Sequence, residues 1–502
     1  MTFLRRNLWP IGVLVLLPIL MLLPALLPGK ALLPAAMLGN MIPWKSLAVF
    51  PQPTPWNPLQ FDGIAQFYPW RLFAAETLRS GYLPLWNPFQ FCGTPFLAND
   101  QSAVLYPPNL LFVVMPVAQA FGASAVLHLA LTGIFMYALL RRHVGVMPAL
   151  LGAIVWQLST WQIGWLALPT FLCTSTWIPL ALLQIERCAE KPSAERGVAL
   201  GGILGLMLLA GHLQIALYGL LVCAAYALTH IARANANARA GLLGACALGA
   251  IVSLLLFSPQ ILPTLELAHV SHRAGGAHPT LAGYHSYLAT RMRLEQLVTL
   301  FSPGFFGRLT ELWGFTNFAE NACFIGIAGV VAAIAGMFGM WRGPEQLCVR
   351  FFACVAVAAM LIALGTPLAG ALFFGVPGFG QTGSPARILV LWTLAMATLA
   401  AFGLEYLQTR PMPKAAAWTA FALLIAPLVG AVKFVQALPQ VYMSVVNKTD
   451  IVESLVAAVL VCVAVAVMRK PGAVRSATAA FVLLAGLDLM DHVGEGSLDL
   501  RL

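Results

Sequence analysis

Apolar residues run in blocks of about 20 along most of the chain, separated by short polar or basic connections. That length matches what one α-helix needs to cross the hydrocarbon core of a bilayer. A transmembrane barrel would instead alternate apolar and polar residues in strands of roughly 10, and these blocks do not alternate. Thirteen blocks, centred near residues 18, 130, 154, 176, 204, 222, 249, 331, 357, 397, 425, 460 and 482, predict an all-α polytopic membrane protein. The expectation is about 13 transmembrane helices in a single domain over residues 1–502. The first block follows Arg5 and Arg6 like a signal peptide. It lacks a convincing small-residue cleavage site and reads as an uncleaved span. Pro and Gly interrupt the third to sixth blocks. Two long segments break the rhythm, at 30–118 and 260–320.

Composition narrows the class. The chain is 60% hydrophobic and 9% charged, with a mean hydropathy of +0.84. Soluble domains carry about 25% charged residues, so a large soluble enzyme and a disordered chain are excluded. The net charge of +10 does not indicate nucleic acid, because the basic residues sit in short loops between blocks, where they act as orientation signals. With the N-terminus inside, 16 of the 28 Lys and Arg fall on inner connections, among them Arg141, Arg142, Arg187, Arg196, Arg342 and Arg350. The inner net charge is then +11 and the outer net −1. Both long segments fall outside, which places the polar chemistry on the outer face. The nine Cys form no CxxC pair, and most lie inside apolar blocks as small hydrophobes. No disulfide framework or zinc site is indicated.

The first long segment carries the candidate chemistry. Residues 64–79 fit a short amphipathic helix, with Ile64, Phe67, Trp70, Leu72, Phe73 and Leu78 toward the headgroups and Gln66, Arg71, Glu76 and Arg79 turned away. Asp62 stands just before it, beside Gly63. A carboxylate there caps the helix, or it accepts a proton from a hydroxyl or holds a divalent cation. Asp100 carries the same alternatives. Elsewhere, His212 and Gln214 interrupt an apolar stretch at an outer turn, where they serve a site or a helix-end hydrogen bond. His128 lies well inside the second block. His269, His272, His278 and His285 sit in or near a Gly- and Ala-rich stretch, for which flexibility is the plainer reading than a metal set. Asn447 opens a glycosylation sequon. The Gly-rich stretches at 201–211 and 241–250 lack a Lys and read as helix-packing surfaces rather than phosphate loops.

Several motifs occur together in order. DGIAQFYPW, GYLPLWNPFQFCGTPFLAN and QSAVLYPPNLLF resemble the first extracytoplasmic loop of the bacterial YfhO family. LAGHLQIALYG (209–219), SPQILPTLELAHVSHR (258–273), FSPGFFG (301–307), ENACFIGIAGV (320–330) and the stretch 364–405 continue the resemblance. That family is similar to the GT-C glycosyltransferases, polytopic enzymes that use polyprenyl-phosphate sugars. The chain departs from some of them in lacking an Asp-x-Asp in the first loop.

The resemblance implies a glycosyltransferase of the bacterial cytoplasmic membrane, with its N-terminus cytoplasmic and its active face extracytoplasmic. It would move a sugar from a polyprenyl-phosphate donor to a cell-envelope glycan or glycolipid acceptor, among membrane lipids and with no nucleic acid. Asp62 is the implied base and Asp100 the second carboxylate, the pair also being the candidate ligands for a Mg or Mn ion. Arg387, Arg291 and Arg293 suit the donor phosphate through their planar forks, joined by His212 and Gln214. Tyr68, Arg71 and Glu76 are candidates for acceptor or loop contacts. Two other classes fit the same pattern: a lipid or glycolipid flippase, which needs polar groups at the bilayer midplane, and a non-catalytic assembly factor of the same fold.

Overall fold

The computed structural model describes residues 7–47, 56–270, 279–307, 317–437, 446–470 and 472–494. Within them the protein is helical apart from one two-residue hairpin pairing, Trp86–Asn87 with Thr94–Pro95. The principal helices are α1 (Leu8–Leu26), α2 (Tyr68–Arg79), α3 (Val117–Leu140), α4 (Val146–Leu158), α5 (Pro169–Ser175), α6 (Ile178–Glu190), α7 (Ala194–Leu209) and α8 (Leu213–Arg233). They continue with α9 (Ala236–Val270), α10 (Ile327–Gly339), α11 (Gln346–Ala363), α12 (Leu389–Leu407), α13 (Lys414–Gln436), α14 (Lys448–Val467) and α15 (Val474–Gly494).

Among the described residues, nine helices are long and apolar enough to cross a membrane. Twelve of the thirteen expected centres fall inside helices. The centre at 176 falls on a break. Thr176 ends α5, and Pro179 sits in the first turn of α6, where a missing N–H costs nothing. At 13 residues each, α6 and α10 are shorter than an independent span. In contrast, α9 has 35 residues, or about 52 Å at 1.5 Å per residue. That exceeds the roughly 30 Å hydrocarbon core, so α9 continues out of it. Residues 260–270, expected in a long loop, are its last three turns.

The bundle is held by close backbone approach as well as by bulk. A Cβ on Gly403 of α12 would lie 1.7 Å from the Ala332 carbonyl oxygen of α10, and one on Gly336 of α10 would lie 2.4 Å from that of Leu399. A Cβ on Gly201 of α7 would meet the Gly249 carbonyl oxygen of α9 at 2.7 Å. The two Gly-rich stretches are therefore packing surfaces, as small residues are between membrane helices. Helix α12 is buried along nearly its whole length and forms the centre. Helices α13 and α14 expose large apolar side chains such as Trp418, Phe421, Val459 and Val463, as a lipid-facing surface requires.

Because α3 joins the first long segment at Val117 and a basic turn at Arg141, the bundle has two distinct ends. They lie about 36 Å apart along its 24 residues. Asp62 belongs to the first end and His143 to the second.

Candidate active site

At the Asp62 end, residues 56–114 fold back on the helix ends. Asn57 Oδ1 accepts from the backbone N–H groups of Leu59 (3.1 Å) and Gln60 (3.2 Å) and from Asn317 Nδ2 (2.6 Å), tying the two long segments together. A π-helical turn, Gly63–Phe67, then leads into α2. Asp62 occupies the cap position, but its side chain accepts no capping bond. Gln66 Nε2 donates to Asp62 Oδ1 at 2.6 Å instead. The second oxygen has no hydrogen bond from a described residue. Partial burial raises the Asp62 pKa and outweighs the lowering effect of the Gln66 bond. A carboxylate with one oxygen held, one free and basicity raised is suited to accept a proton.

The amphipathic reading of α2 needs one correction. Arg71 is 3% exposed rather than turned to water, and Phe67 is buried in the protein rather than lying against headgroups. Arg71 Nη1 donates to the Ser102 carbonyl, and its guanidinium lies 5.4 Å from the Phe112 ring centroid. A flat cation can be buried where it meets a carbonyl and an aromatic face. Burial lowers its pKa to about 10, which leaves it charged at neutral pH. Arg79 donates to the carbonyls of Phe112, Val113 and Met115, closing the short helix Leu111–Val114. Glu76 is exposed, and Tyr68 is half-buried against Phe121.

Asp100 lies in a tight turn that ends at Ala103, with φ of 43°. Helix α9 braces this turn: Gln260 Nε2 donates to the Leu97 carbonyl (2.7 Å) and Thr264 Oγ1 to that of Ala98 (2.9 Å). Asp100 is 7% exposed, and neither carboxylate oxygen has a hydrogen-bond partner among the described residues. Desolvation raises its pKa to about 7.

Trp165–Phe171 links these groups. Ala167 lies against Gly63, where an added Cβ would sit 3.0 Å from its carbonyl oxygen. Trp165 and Phe171 stack in parallel, 3.7 Å apart, and both lie beneath the Arg387 guanidinium, 5.4 and 5.3 Å from their centroids. His212 stands 3.8 Å from the Phe171 ring. Its Nδ1 accepts from the Ile215 N–H at 3.3 Å and caps α8. Burial and then the Arg387 charge push its pKa down to about 3, so it is neutral. A Cβ on Gly211 would touch the Asp100 carbonyl oxygen at 2.9 Å. His212 and Arg387 thus pack on one aromatic loop, which also touches Gly63 beside Asp62, while the Asp100 backbone lies against Gly211 beside His212.

Arg387 is not a free cation. Glu320, a residue sequence reasoning left without a role, takes Nη2 at 2.7 Å and Nε at 3.1 Å. Gln214 Oε1 accepts from Nη1 (3.2 Å) and from the Gly383 N–H (3.1 Å), while its Nε2 donates to Tyr218 (2.9 Å) and the Ser384 carbonyl (3.1 Å). Gln214 is accordingly a strut that seats the Arg387 loop. Arg291 and Arg293 are exposed on the connection after Leu281–Ala289, and Arg291 Nη1 donates to the Leu288 carbonyl.

His128, buried in α3, closes on its neighbours. Trp177 Nε1 donates to the Tyr106 hydroxyl (2.9 Å), which pairs with His128 Nε2 (2.8 Å), and His128 Nδ1 meets the Ser124 carbonyl (2.7 Å). Asn447 caps α14, accepting from the Asp450 N–H. His269 and His285 are exposed on separate helices, while His272 and His278 lie outside the described residues.

The class of protein these features define is an all-α, multi-pass membrane protein with a polar site at one end of its bundle. Two solved structures similar to it are those of ArnT from Cupriavidus metallidurans, one bound to undecaprenyl phosphate and one in the apo state. They are 15% and 14% identical, cover 85% and 86% of this chain and 72% of their own, and have TM-scores of 0.45 and 0.46. No protein-family model and no curated protein matches. Overlap at this level transfers no residue role to the present chain.

Proposed function

We propose that the chain is a GT-C-type membrane glycosyltransferase. It moves a sugar from a polyprenyl-phosphate-linked donor to a glycolipid, teichoic acid or polysaccharide acceptor. It works on the extracytoplasmic face of the bacterial inner membrane, with the N-terminus cytoplasmic and residues 30–118 and 260–320 forming the reactive side. The observation that carries this reading is that one loop, Trp165–Phe171, lies against both Gly63, next to the half-buried Asp62 carboxylate, and the aromatic-backed cation Arg387.

The roles follow from charge development. An acceptor hydroxyl attacks the anomeric carbon as Asp62 takes its proton. The bond to the lipid phosphate breaks, and negative charge builds on the departing oxygens. Arg387 retains two N–H donors beyond those given to Glu320 and Gln214, and these meet the phosphate. Direct displacement inverts the anomeric centre. Asp100 offers two buried oxygens without partners, a donor type that fits Mg or Mn. Such an ion, held by Asp62 and Asp100, would offset phosphate charge. Arg291, Arg293, His212 and Gln214 border the donor side and Tyr68 and Glu76 the acceptor side, with Arg71 buried as a support of the loop. His128 argues against the flippase alternative, since its ring nitrogens are already engaged and offer no open midplane site. In membrane vesicles supplied with labelled polyprenyl-phosphate sugar and acceptor, Asp62→Asn lowers transfer by 100-fold or more at unchanged expression; transfer at the wild-type rate removes the base.

A further inference from the structure

We infer that His143, Glu186 and Cys348, at the end of the bundle opposite Asp62, form a binding site for a transition-metal dication of the zinc type. His143 comes from the turn between α3 and α4, Glu186 from α6 and Cys348 from α11. One ligand atom from each lies within 4.8 Å of the other two. In a tetrahedral zinc site with ligands at about 2.0–2.3 Å, donor atoms stand roughly 3.3–3.8 Å apart. Side-chain adjustments of about an ångström therefore bring the three into coordination.

The surroundings already orient each ligand. His143 Nε2 faces Glu186 Oε1 at 2.8 Å, while Nδ1 meets Glu345 Oε2 at 2.7 Å. A carboxylate behind the second imidazole nitrogen is the usual support of a metal-bound histidine: it fixes the tautomer and strengthens the donor. Glu186 is fixed in the same way. Arg142 Nε holds its Oε2 at 2.7 Å, which leaves Oε1 turned inward toward His143. The Tyr226 hydroxyl donates to that same Oε1 at 2.7 Å and lies 3.4 Å from Cys348 Sγ, so it borders the Glu186 and Cys348 donors. It, or a water in its place, completes four positions. One helical turn further, the buried Nε2 of His230 has no hydrogen-bond partner among the described residues.

The donor chemistry selects the metal. An imidazole, a carboxylate and a thiolate together suit zinc and its neighbours, whereas Mg and Ca prefer oxygen alone. The charges also close. A dication with one carboxylate and one thiolate is locally neutral, and binding releases the His143 Nε2 proton and the Cys348 thiol proton to solvent. The ion would pin three separate elements at the basic end of the bundle, a site independent of the transfer reading.

The test is a Co(II) titration of the full chain, purified in detergent and stripped with chelator. The wild type is expected to take up one Co(II) per chain with a thiolate-to-cobalt charge-transfer band, which stoichiometric Zn(II) then displaces. Cys348→Ser abolishes the band, His143→Gln weakens binding at least tenfold, and Glu345→Gln weakens it about 10- to 100-fold. Cys354→Ser and Cys462→Ser, at exposed thiols, leave it intact. A wild type with no saturable band overturns the site and leaves His143 as an imidazolium locked between Glu186 and Glu345. A band that survives Cys348→Ser also overturns it.

Discussion

Asp100 gives a stability prediction that can be worked from the structure. Burial without a partner raises its pKa from 3.8 to about 7. Well below pH 3.8 the carboxyl is protonated in both the folded and unfolded chain and contributes no difference. Between 3.8 and 7 the unfolded chain ionises while the folded one keeps its proton, so native stability falls as pH rises. Above pH 7 the penalty is complete, at most roughly 4 kcal/mol at 1.36 kcal/mol per unit. Asp100→Asn keeps the shape and removes the titration. Its stability relative to wild type should therefore rise by roughly 2 to 3 kcal/mol between pH 5 and pH 8 and then level off. Denaturation in detergent with chelator present, followed by tryptophan fluorescence, measures this difference, and other titrating groups cancel between the two proteins. A difference that stays flat with pH would show that the carboxylate is solvated and refute the burial argument.

Other expectations rest on single contacts. Arg387→Ala leaves Glu320, whose side chain is 12% exposed, without its cation. It should destabilise the protein near the low end of the about 3–5 kcal/mol typical of a broken buried pair. The double variant Glu320→Gln/Arg387→Met should lose less than the two single losses combined, a comparison read from melting temperatures. Gly403→Ala places a methyl group into the Ala332 carbonyl and should lower the yield of folded protein sharply. Gly12→Ala and Gly430→Ala, where nothing lies within 4 Å, should be neutral. Size-exclusion profiles of detergent extracts distinguish the two sets.

The helices were legible because a bilayer imposes a length and a polarity that hydropathy reports directly. Pro and Gly interruptions in the third to sixth blocks were visible, but the position of the break at Thr176 was not, since α5 and α6 are both apolar. Charge periodicity placed Arg71 toward water because a helical wheel does not register the chain that later folds over it. Long-range pairs left no local signal: Glu320 and Arg387 are 67 residues apart, and His143 and Glu345 are 202 apart. Asp450 is another case. It accepts from the Ser302 hydroxyl and the Gly304 N–H, so a helix near the end of the chain fixes the FSPGFFG turn. The absence of a CxxC pair indicated no zinc site, yet three helix-end regions bring His143, Glu186 and Cys348 together. Asp62 stood out in sequence through its place before an amphipathic run. Only the fold supplies Gln66 as its partner and the aromatic loop beside it.

The central claim is that this chain holds a polyprenyl-phosphate lipid at the Asp62 end. Native mass spectrometry of the protein released from membranes, before and after titration with undecaprenyl phosphate, tests it most directly. The account predicts one stoichiometric adduct of that lipid's mass, weakened at least tenfold by Arg387→Ala. Only ordinary phospholipid adducts, with none formed by undecaprenyl phosphate at saturating concentration, would contradict it.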